Sequence, residues 1–262
     1  MTRVITVANQ KGGVGKTTST VNVAAALALA GKSVLVLDLD PQGNASTALG
    51  LDHREGVRGT YEVITGEANI EDVVMECPDI SGLIGVPATI DLAGAEIELV
   101  AAERREYQLR EAVDAYVATH PDLDYLIIDC PPSLGLLTLN ALVAAREVLL
   151  PIQCEYYALE GLSQLLRTVD MVTSHLNPDL QVSAIMLTMY DGRTRLASQV
   201  ADEVRTHFGA RVLDTVIPRA VRISEAPSYG QTVLTYDRNS SGSLAYTEAA
   251  MQLDEWGAPT PR

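Results

Sequence analysis

Short apolar runs alternate along this chain with longer stretches in which apolar residues recur at helical spacing. The apolar runs of strand length are residues 4–8, 33–37, 82–86, 125–129, 147–152, 182–188 and 212–217. The clearest helical stretches are residues 21–30, 159–176, 196–208 and 241–256. Strands buried on both faces have continuous apolar runs, and helices that alternate with them cover both faces of a parallel sheet. The pattern predicts one α/β domain over residues 1–256, with a mostly parallel, twisted sheet between helices, and a frayed tail over residues 257–262.

The stretch from residue 44 to residue 124 has a less regular pattern. Residues 59–75 favour short helices, and residues 93–119 carry apolar positions at helical spacing with charges between them. This predicts one or two exposed helices there. No linker, low-complexity tract or internal repeat interrupts the chain, which is consistent with a single domain.

Composition and charge narrow the class of protein. With 47% hydrophobic and 20% charged residues, the chain is typical of globular proteins. The cysteines at 77, 130 and 154 are odd in number and widely spaced, which indicates reduced thiols in a cytoplasm. A net charge of −15 argues against a surface that is basic throughout. The charge is uneven, however, because residues 193–222 hold six arginines and three acids, a local excess of positive charge.

Residues 9–18, Asn-Gln-Lys-Gly-Gly-Val-Gly-Lys-Thr-Thr, lie between the first predicted strand and the first predicted helix. This is the context of a phosphate-binding loop, in which glycines let the backbone curl around an anion at a helix N-terminus. Lys16 would contact the β- and γ-phosphates, and the hydroxyl of Thr17 would bind Mg²⁺. The predicted nucleotide contacts are Lys11, Gly12, Gly13, Val14, Gly15, Lys16, Thr17 and Thr18.

The loop departs from the commonest spacing at its start. The usual first glycine is replaced by Gln10, and a second lysine, Lys11, follows it. The chain has only three lysines against sixteen arginines, so a lysine at this position is not typical of its surface. We therefore expect a function for Lys11.

Carboxylates follow two further predicted strands. Asp38 and Asp40 come at the end of the second, and Asp129 ends the strand at 125–129. Ligands of open α/β sheets bind outside the carboxyl ends of the strands, so these side chains should face the site. Asp129 and Asp38, together with Thr17, are predicted to hold Mg²⁺. The loop at 130–135, Cys-Pro-Pro-Ser-Leu-Gly, could sense a γ-phosphate and move when the phosphate leaves.

Taken in order, these motifs resemble the ParA/Soj ATPases that partition chromosomes and plasmids. The resemblance runs over nearly the whole chain. It rests on the loop at 9–18, on Asp38-Leu39-Asp40-Pro41-Gln42, on the strand ending at Asp129, and on the strings at 153–161 and 216–227. The phosphate loop alone would indicate only the wider class of ATPases whose phosphate-binding loop carries a second lysine. The last two strings indicate the partitioning branch.

The resemblance implies an ATP-dependent homodimer in which Lys11 reaches the partner's nucleotide. Asp40 would position the attacking water, giving Lys11, Lys16 and Asp40 as the catalytic group. Pro218 and Arg219 fall where the family approaches adenine.

The family also binds double-stranded DNA without sequence preference, and a ParB-type centromere-binding protein stimulates hydrolysis and release. The basic positions that match family DNA contacts are Arg193, Arg195 and Arg222. The competing interpretation is that they pair with neighbouring acids on an ordinary surface. The implied location is the cytoplasm, in association with the nucleoid.

Two rival classes share the phosphate loop. A MinD-like positioning ATPase cycles on membranes, but residues 247–256 are acidic where a membrane-binding helix would be basic. An iron–sulfur electron carrier would need paired cysteines, and Cys130 has no obvious second ligand. The four histidines are scattered without ligand spacing, so no metal is predicted from them.

Overall fold

The computed structural model describes residues 1–155 and 158–258, and for residues 158–161 the backbone alone. Its centre is a seven-stranded sheet in the order β3-β4-β2-β5-β1-β6-β7. All neighbouring strands run parallel except β3, which pairs antiparallel with β4. The strands are β1 Arg3–Val7, β2 Val34–Asp38, β3 Met75–Glu76, β4 Leu83–Val86, β5 Tyr125–Asp129, β6 Glu147–Gln153 and β7 Gln181–Thr188.

Helices connect the strands and pack against the sheet. They are α1 Lys16–Leu29, α2 Asn44–Ala48, α3 Thr60–Thr65, α4 Leu92–Leu99, α5 Gln108–Thr119, α6 Leu136–Ala144, α7 Ala158–His175, α8 Arg195–Phe208, α9 Val221–Glu225, α10 Val233–Tyr236 and α11 Ser241–Trp256. The predicted α/β class, with a mostly parallel sheet between helices, is confirmed.

Two hydrophobic cores lie on opposite faces of the sheet. Because successive strand residues point to opposite faces, β5 places Leu126 and Ile128 in one core and Tyr125 and Ile127 in the other. The first core includes buried residues of α3 to α8. The second includes those of α1, α2 and α11. Burial on both faces explains why these strands are continuous apolar runs.

The register of the central strands determines where the functional loops meet. β1 lies between β5 and β6, and β5 lies between β1 and β2. Asp38 and Asp129 are paired positions at the ends of β2 and β5, and Val7 is aligned with Asp129 at the end of β1. The loops after β1, β2 and β5 therefore leave the sheet at one edge, side by side.

One predicted strand is wrong. Residues 212–217 do not join the sheet as a strand, although Leu213 N and Ile217 N donate to carbonyls of β7 at 2.9 and 2.8 Å. Between them Asp214 turns away, and its N–H donates instead to Gln252 of α11. The segment thus follows β7 with only isolated bridges. Helix α6 and the short helices α2, α9 and α10 were not predicted.

Candidate nucleotide-binding site

Residues 9–15 form a curled loop between β1 and α1. Gly13 and Gly15 have φ angles of 74° and 86°, in the left-handed region that glycine adopts at little cost. Asn9 holds the start of the loop, because its side-chain amide donates to the Pro151 carbonyl (2.7 Å) and its Oδ1 accepts from the N–H of Lys11 (3.0 Å). Thr188, at the end of β7, donates its hydroxyl to the carbonyl of Val14 (2.8 Å). The loop is thus fixed from both sides before the helix begins at Lys16.

A cavity of about 430 Å³ opens over this loop. Lys16 is buried at its base, and Nζ donates to the Lys11 carbonyl at 3.3 Å. Burial lowers the pKa of Lys16 from its ordinary value, and the nearby carboxylate of Asp129 opposes this shift. The cavity is lined by residues of the loop and of α1, of the segment after β2, of the loop after β5 and of the segment after α9: Gly12, Gly13, Gly15, Lys16, Thr17, Thr18, Val21, Asp40, Gln42, Asn44, Thr47, Ala48, Pro132 and Pro227. Loop amides, a cation and the N-terminus of a 14-residue helix suit a chain of phosphates.

A second cavity, of about 270 Å³, lies on the other side of the same loop. Gly15 and Thr18 line both cavities. Pro218 and Arg219, the positions predicted to approach adenine, line only the second, and its remaining walls are largely apolar. Together the two cavities could accept a phosphate chain on one side of α1 and a base on the other.

Met189 lies at the wall of the second cavity with a positive φ of 51°. This is unusual for a residue with a side chain and is found most often where function requires it. The position follows directly after β7, so the strained residue turns the chain from the sheet into the cavity wall.

Asp129 is fully buried at the end of β5. Its Oδ1 accepts a hydrogen bond from the Thr20 hydroxyl at 2.8 Å, whereas Oδ2 has no hydrogen-bond partner among the described residues. Burial, and after it the nearby carboxylate of Asp38, raises the pKa of Asp129. A buried carboxylate oxygen without a partner is costly. An oxygen ligand of this kind, beside the Thr17 hydroxyl in the helix, fits a hard divalent cation.

Asp38 is equally buried, but its oxygens are occupied. Oδ2 accepts from the N–H and the hydroxyl of Ser46 (2.8 and 2.6 Å), and Oδ1 accepts from the N–H of Asp40 (3.1 Å). Burial raises the pKa of Asp38, and the bonds from Ser46 oppose the rise. Asp38 therefore folds the segment after β2 and aims Asp40 at the phosphate cavity.

Sequence analysis did not identify Ser46, Thr20, Asn9 or Thr188 as part of the site. Ser46 and Thr20 lie among other short polar residues at the starts of α2 and α1, so the sequence offers no signal that sets them apart. The partners of Asn9 and Thr188 are far away in sequence, so no local pattern could reveal these contacts.

Lys11 differs from Lys16 in position. Its side chain is 36% exposed and lines neither cavity, and Nζ lies 3.8 Å from Oε2 of Glu155. The other oxygen of Glu155 lies 3.7 Å from a guanidinium nitrogen of Arg219. One exposed carboxylate thus faces both Lys11 and Arg219, a residue of the second cavity. Tyr156 and Tyr157, which belong to the predicted family string after it, lie outside the described residues.

The three arginines predicted to bind DNA lie outside both cavities and are exposed. Arg193 pairs with Asp191 at 2.8 Å, and Arg222 pairs with Glu225 at 3.1 Å and Asp237 at 3.4 Å. Arg195, at the first position of α8, has no ion pair within the described part of the chain.

The segments that carry Arg193 and Arg222 are joined by their backbones. Tyr190 N donates to the Ile217 carbonyl at 2.9 Å, and Arg219 N donates to the Tyr190 carbonyl at 3.0 Å. The loop before α8 and the loop before α9 therefore lie side by side, and their arginines belong to one edge of the molecule.

The cysteines are all buried and unpaired in the structure. Burial raises the pKa of Cys130 and of Cys77 to about 12, and that of Cys154 to about 11. Among residues 1–155 and 162–258 there is no cluster of three or more His, Cys, Asp or Glu side chains that could hold a metal ion. Over the same residues, no helix is both long and apolar enough to cross a membrane.

Sequence comparisons agree with one another. The family model described as an AAA domain matches residues 2–182. The chain is 51% identical to the chromosome partitioning protein ParA of Caulobacter vibrioides over 251 residues, which cover 96% of this chain and 93% of that protein. It is 50% identical to the sporulation initiation inhibitor protein Soj of Bacillus subtilis, over 97% of this chain and 98% of that protein.

Solved structures with the same fold include two that bear on function. A structure described as cobyrinic acid a,c-diamide synthase from Mycobacterium smegmatis, with a bound ATP analogue and magnesium, is 39% identical and has a TM-score of 0.84. The match covers 100% of this chain and 98% of that one. The cell division ATPase MinD of Pyrococcus furiosus is 26% identical with a TM-score of 0.78, and the match covers 97% of this chain and 99% of that one.

Proposed function

Because the chain belongs to the ParA/Soj family of partitioning ATPases, we propose that it segregates DNA as an ATP-dependent homodimer. The dimer binds double-stranded DNA without sequence preference. A ParB-type centromere-binding protein stimulates ATP hydrolysis and so releases it. The observation that carries the proposal is the contrast between two lysines of one loop. Lys16 is buried and lines the phosphate cavity, whereas Lys11 lies outside that lining with a side chain that is 36% exposed.

The ligands are ATP and Mg²⁺, and the residues around the two cavities suit them. Lys16 and the amides of residues 12–18 bind the phosphates, and the second cavity with Pro218 and Arg219 takes the base. Thr17 and the unpartnered oxygen of Asp129 hold the cation. Asp38 contributes charge beside them, since its oxygens already accept hydrogen bonds. When bound, Mg²⁺ neutralises the phosphate charge that develops during transfer.

Asp40 orients the attacking water at the phosphate cavity. The backbone bond from Asp40 to Asp38 and the bond from Gln42 N to Oδ1 of Asp40 (3.0 Å) fix where its carboxylate points. From that position it orients the water that attacks the γ-phosphate. Phosphoryl transfer depends on positioning more than on covalent chemistry, so a fixed carboxylate is sufficient for this role.

Lys11 acts in the partner's site. A two-fold interface presents the same patch from each protomer, so each Lys11 would meet the nucleotide of the opposite subunit. Its ion pair with Glu155 is exposed and long, which makes it weak and easily exchanged for a phosphate.

DNA binds through Arg193, Arg195 and Arg222 on the edge described above. In the single chain two of these are partly neutralised by nearby acids, and the net charge is −15. A dimer doubles the patch and aligns two copies along one duplex. Contacts to phosphates then give binding that depends on salt more than on sequence.

The names of the two solved relatives suggest other roles, which the structure does not favour. For a membrane-cycling role like that of MinD, α11 is a poor lipid-binding helix because it carries Glu248, Asp254 and Glu255 and no Lys or Arg. For the amide formation that the name of the other structure implies, the chain offers no accessible cysteine nucleophile, because all three cysteines are buried. Burial keeps the pKa of all three thiols far above neutrality.

The decisive experiment measures steady-state ATP hydrolysis with and without DNA and a candidate ParB-type protein, together with sedimentation in ATP and in ADP. We expect slow hydrolysis that DNA and the partner accelerate. Asp40→Ala should keep ATP binding, lose hydrolysis and sediment as a dimer in ATP. Adding Lys11→Ala should weaken that dimer more than it weakens nucleotide binding.

Equal sedimentation in ATP and ADP would contradict the ATP-dependent dimer. Wild-type hydrolysis by Asp40→Ala would refute the role of Asp40. Pelleting with anionic vesicles rather than retention on DNA would favour the MinD-like role.

A further inference from the structure

Helices α3 and α4 link the two loops that follow β2 and β5. Thr60, at the start of α3, donates its hydroxyl to the carbonyl of Asp38 at 2.7 Å. The next residue, Tyr61, donates its phenol to Glu98 of α4 at 3.1 Å. On the other side of α4, Glu96 packs against Gly135. This part of the chain had no predicted role, yet it spans the distance between two segments that line the phosphate cavity.

The contact between Glu96 and Gly135 is unusually close. A Cβ added to Gly135 would lie 2.0 Å from Oε1 of Glu96 and 3.0 Å from Cδ, so a larger residue here would displace the carboxylate. Oε1 is also one of the few buried side-chain atoms that have no hydrogen-bond partner in the described part of the chain. An unpartnered buried carboxylate oxygen is costly and calls for an explanation.

The position of this carboxylate relative to α6 suggests the explanation. Gly135 is the N-cap of α6, whose positive end favours a nearby negative charge. Gly135 also ends the loop at 130–135, which begins directly after Asp129 and carries Pro132 into the phosphate cavity. The loop is therefore held at one end by the cation-binding strand and at the other by Glu96.

We infer that Glu96 is a positioning residue for ATP hydrolysis, which sets the position of the loop at 130–135 through its contact with Gly135. Its Oε1 has no donor among the described residues. A small shift of the loop toward the γ-phosphate would bring N–H groups at the start of α6 to this oxygen. The carboxylate thus favours the loop position of the ATP state. The inference rests on the ATPase activity proposed above.

The test compares Glu96→Gln, which keeps the shape and removes the charge, with Glu103→Gln. Glu103 is exposed just beyond α4, and the structure gives its side chain no contact, so the control has the same change in charge. We expect kcat of Glu96→Gln to fall about fivefold, in line with losing a partly buried charge at a helix end. The KM for ATP should stay within about twofold, because the loop position matters after binding. Glu103→Gln should match the wild type.

Hydrogen exchange over residues 130–140 provides a second measurement that does not require turnover. In the wild type, adding ATP with Mg²⁺ should slow exchange in this segment, and Glu96→Gln should lose most of that change at an unaltered Tm. The inference is overturned if Glu96→Gln equals Glu103→Gln in kcat and exchange, or if kcat, KM and Tm deteriorate together as after a packing defect. If the wild type shows no hydrolysis, the proposed function fails, while the exchange comparison still decides the role of Glu96.

Discussion

The two carboxylate oxygens of Asp129 have different roles, one structural and one at the candidate site. One carboxylate oxygen is satisfied by Thr20, and the other has no partner among the described residues. Since Thr20 sits on α1 and Asp129 ends β5, the hydrogen bond also fastens the helix to the sheet under the phosphate loop. The protein thus places an unsatisfied oxygen at the site and stabilises it through the oxygen beside it.

Replacing Thr20 by valine removes this support at constant volume. We expect the free energy of unfolding to fall by about 1–3 kcal/mol, because a buried acceptor loses its donor. ATP affinity in the presence of Mg²⁺ should weaken as well, since Asp129 loses its fixed orientation. The measurements are urea denaturation and nucleotide titration.

Thr119→Val is the matched control for this substitution. Thr119 is an exposed residue near the end of α5, and its hydroxyl bonds only within its own helix and to the neighbouring His120. Its replacement should change stability by no more than about 0.5 kcal/mol. If the two variants were equally stable, the bond to Asp129 would have no measurable effect.

At the scale of elements, the sequence predicted the parts that depend on local pattern. The central strands are apolar runs because both faces are buried, and the phosphate loop has a fixed spacing of Gly, Lys and Thr. The segment at 212–217 has the same apolar character as a strand, yet Asp214 bonds to α11 and interrupts the pairing. Helix α6 was overlooked because nearly all its residues are apolar, which leaves no polar face to mark a helical period.

The candidate site likewise contains residues that sequence motifs predict and residues that only the folded structure reveals. Lys11, Lys16, Thr17, Asp40 and Asp129 are identified by motif, and the structure brings all of them to the edge where β1, β2 and β5 end. The residues that hold them could not be found in this way. Ser46, Thr188 and Glu96 act through contacts with distant parts of the chain, and those contacts exist only after folding.

Helix α3 offers a test of how an element is placed. A Cβ at Gly59, its N-cap, would lie 2.1 Å from the carbonyl oxygen of Pro87. That atom is backbone and cannot rotate away, so Gly59→Ala should cost about 1–3 kcal/mol of stability. It should also slow hydrolysis, because the adjacent Thr60 would lose its bond to Asp38.

Gly94→Ala is the comparison, since that glycine lies within α4 and a Cβ there would meet nothing closer than 3.9 Å. This variant should be more stable than the wild type by about 0.5–1 kcal/mol, because alanine loses less backbone entropy in a helix. Both values come from chemical denaturation. If Gly59→Ala were as stable as Gly94→Ala, the close approach to Pro87 would not constrain α3.

For the whole molecule, the charge distribution sets the conditions under which DNA can bind. The net charge of −15 repels a polyanion, and residues 52–126 hold most of that excess. The arginines near α8 and α9 lie on one edge, where Tyr190 joins their segments. A few positive charges on an acidic protein give weak binding in one copy, so the assembly of two copies should act as the switch.

Arg193→Glu and Arg222→Glu should each abolish retention on DNA in the presence of ATP without affecting sedimentation as a dimer. Wild-type affinity should fall steeply between two salt concentrations, because the contacts are to phosphates. The assay is a surface-binding titration with ATP, with ADP and without nucleotide.

Arg54→Glu is a closely matched control. Arg54 is exposed and forms the same paired contact with an aspartate two residues earlier as Arg193 does with Asp191. It lies, however, in the acidic part of the chain. Equal loss of DNA binding by Arg54→Glu and Arg193→Glu would show that overall charge, rather than this edge, governs binding.

Because Cys130 is buried at the start of the loop after β5, the reactivity of its thiol can report when this loop opens. The thiol follows Asp129 directly, shares a 3.0 Å hydrogen bond with Thr6 and is fully buried. The fraction of chains that a small maleimide alkylates over time, measured by mass spectrometry, would therefore report how often this end of the loop opens. Cys77 and Cys154, equally buried, supply an internal baseline for general unfolding. The rate of loop opening can thus be compared between nucleotide states with the native cysteine, without introducing a probe by mutation.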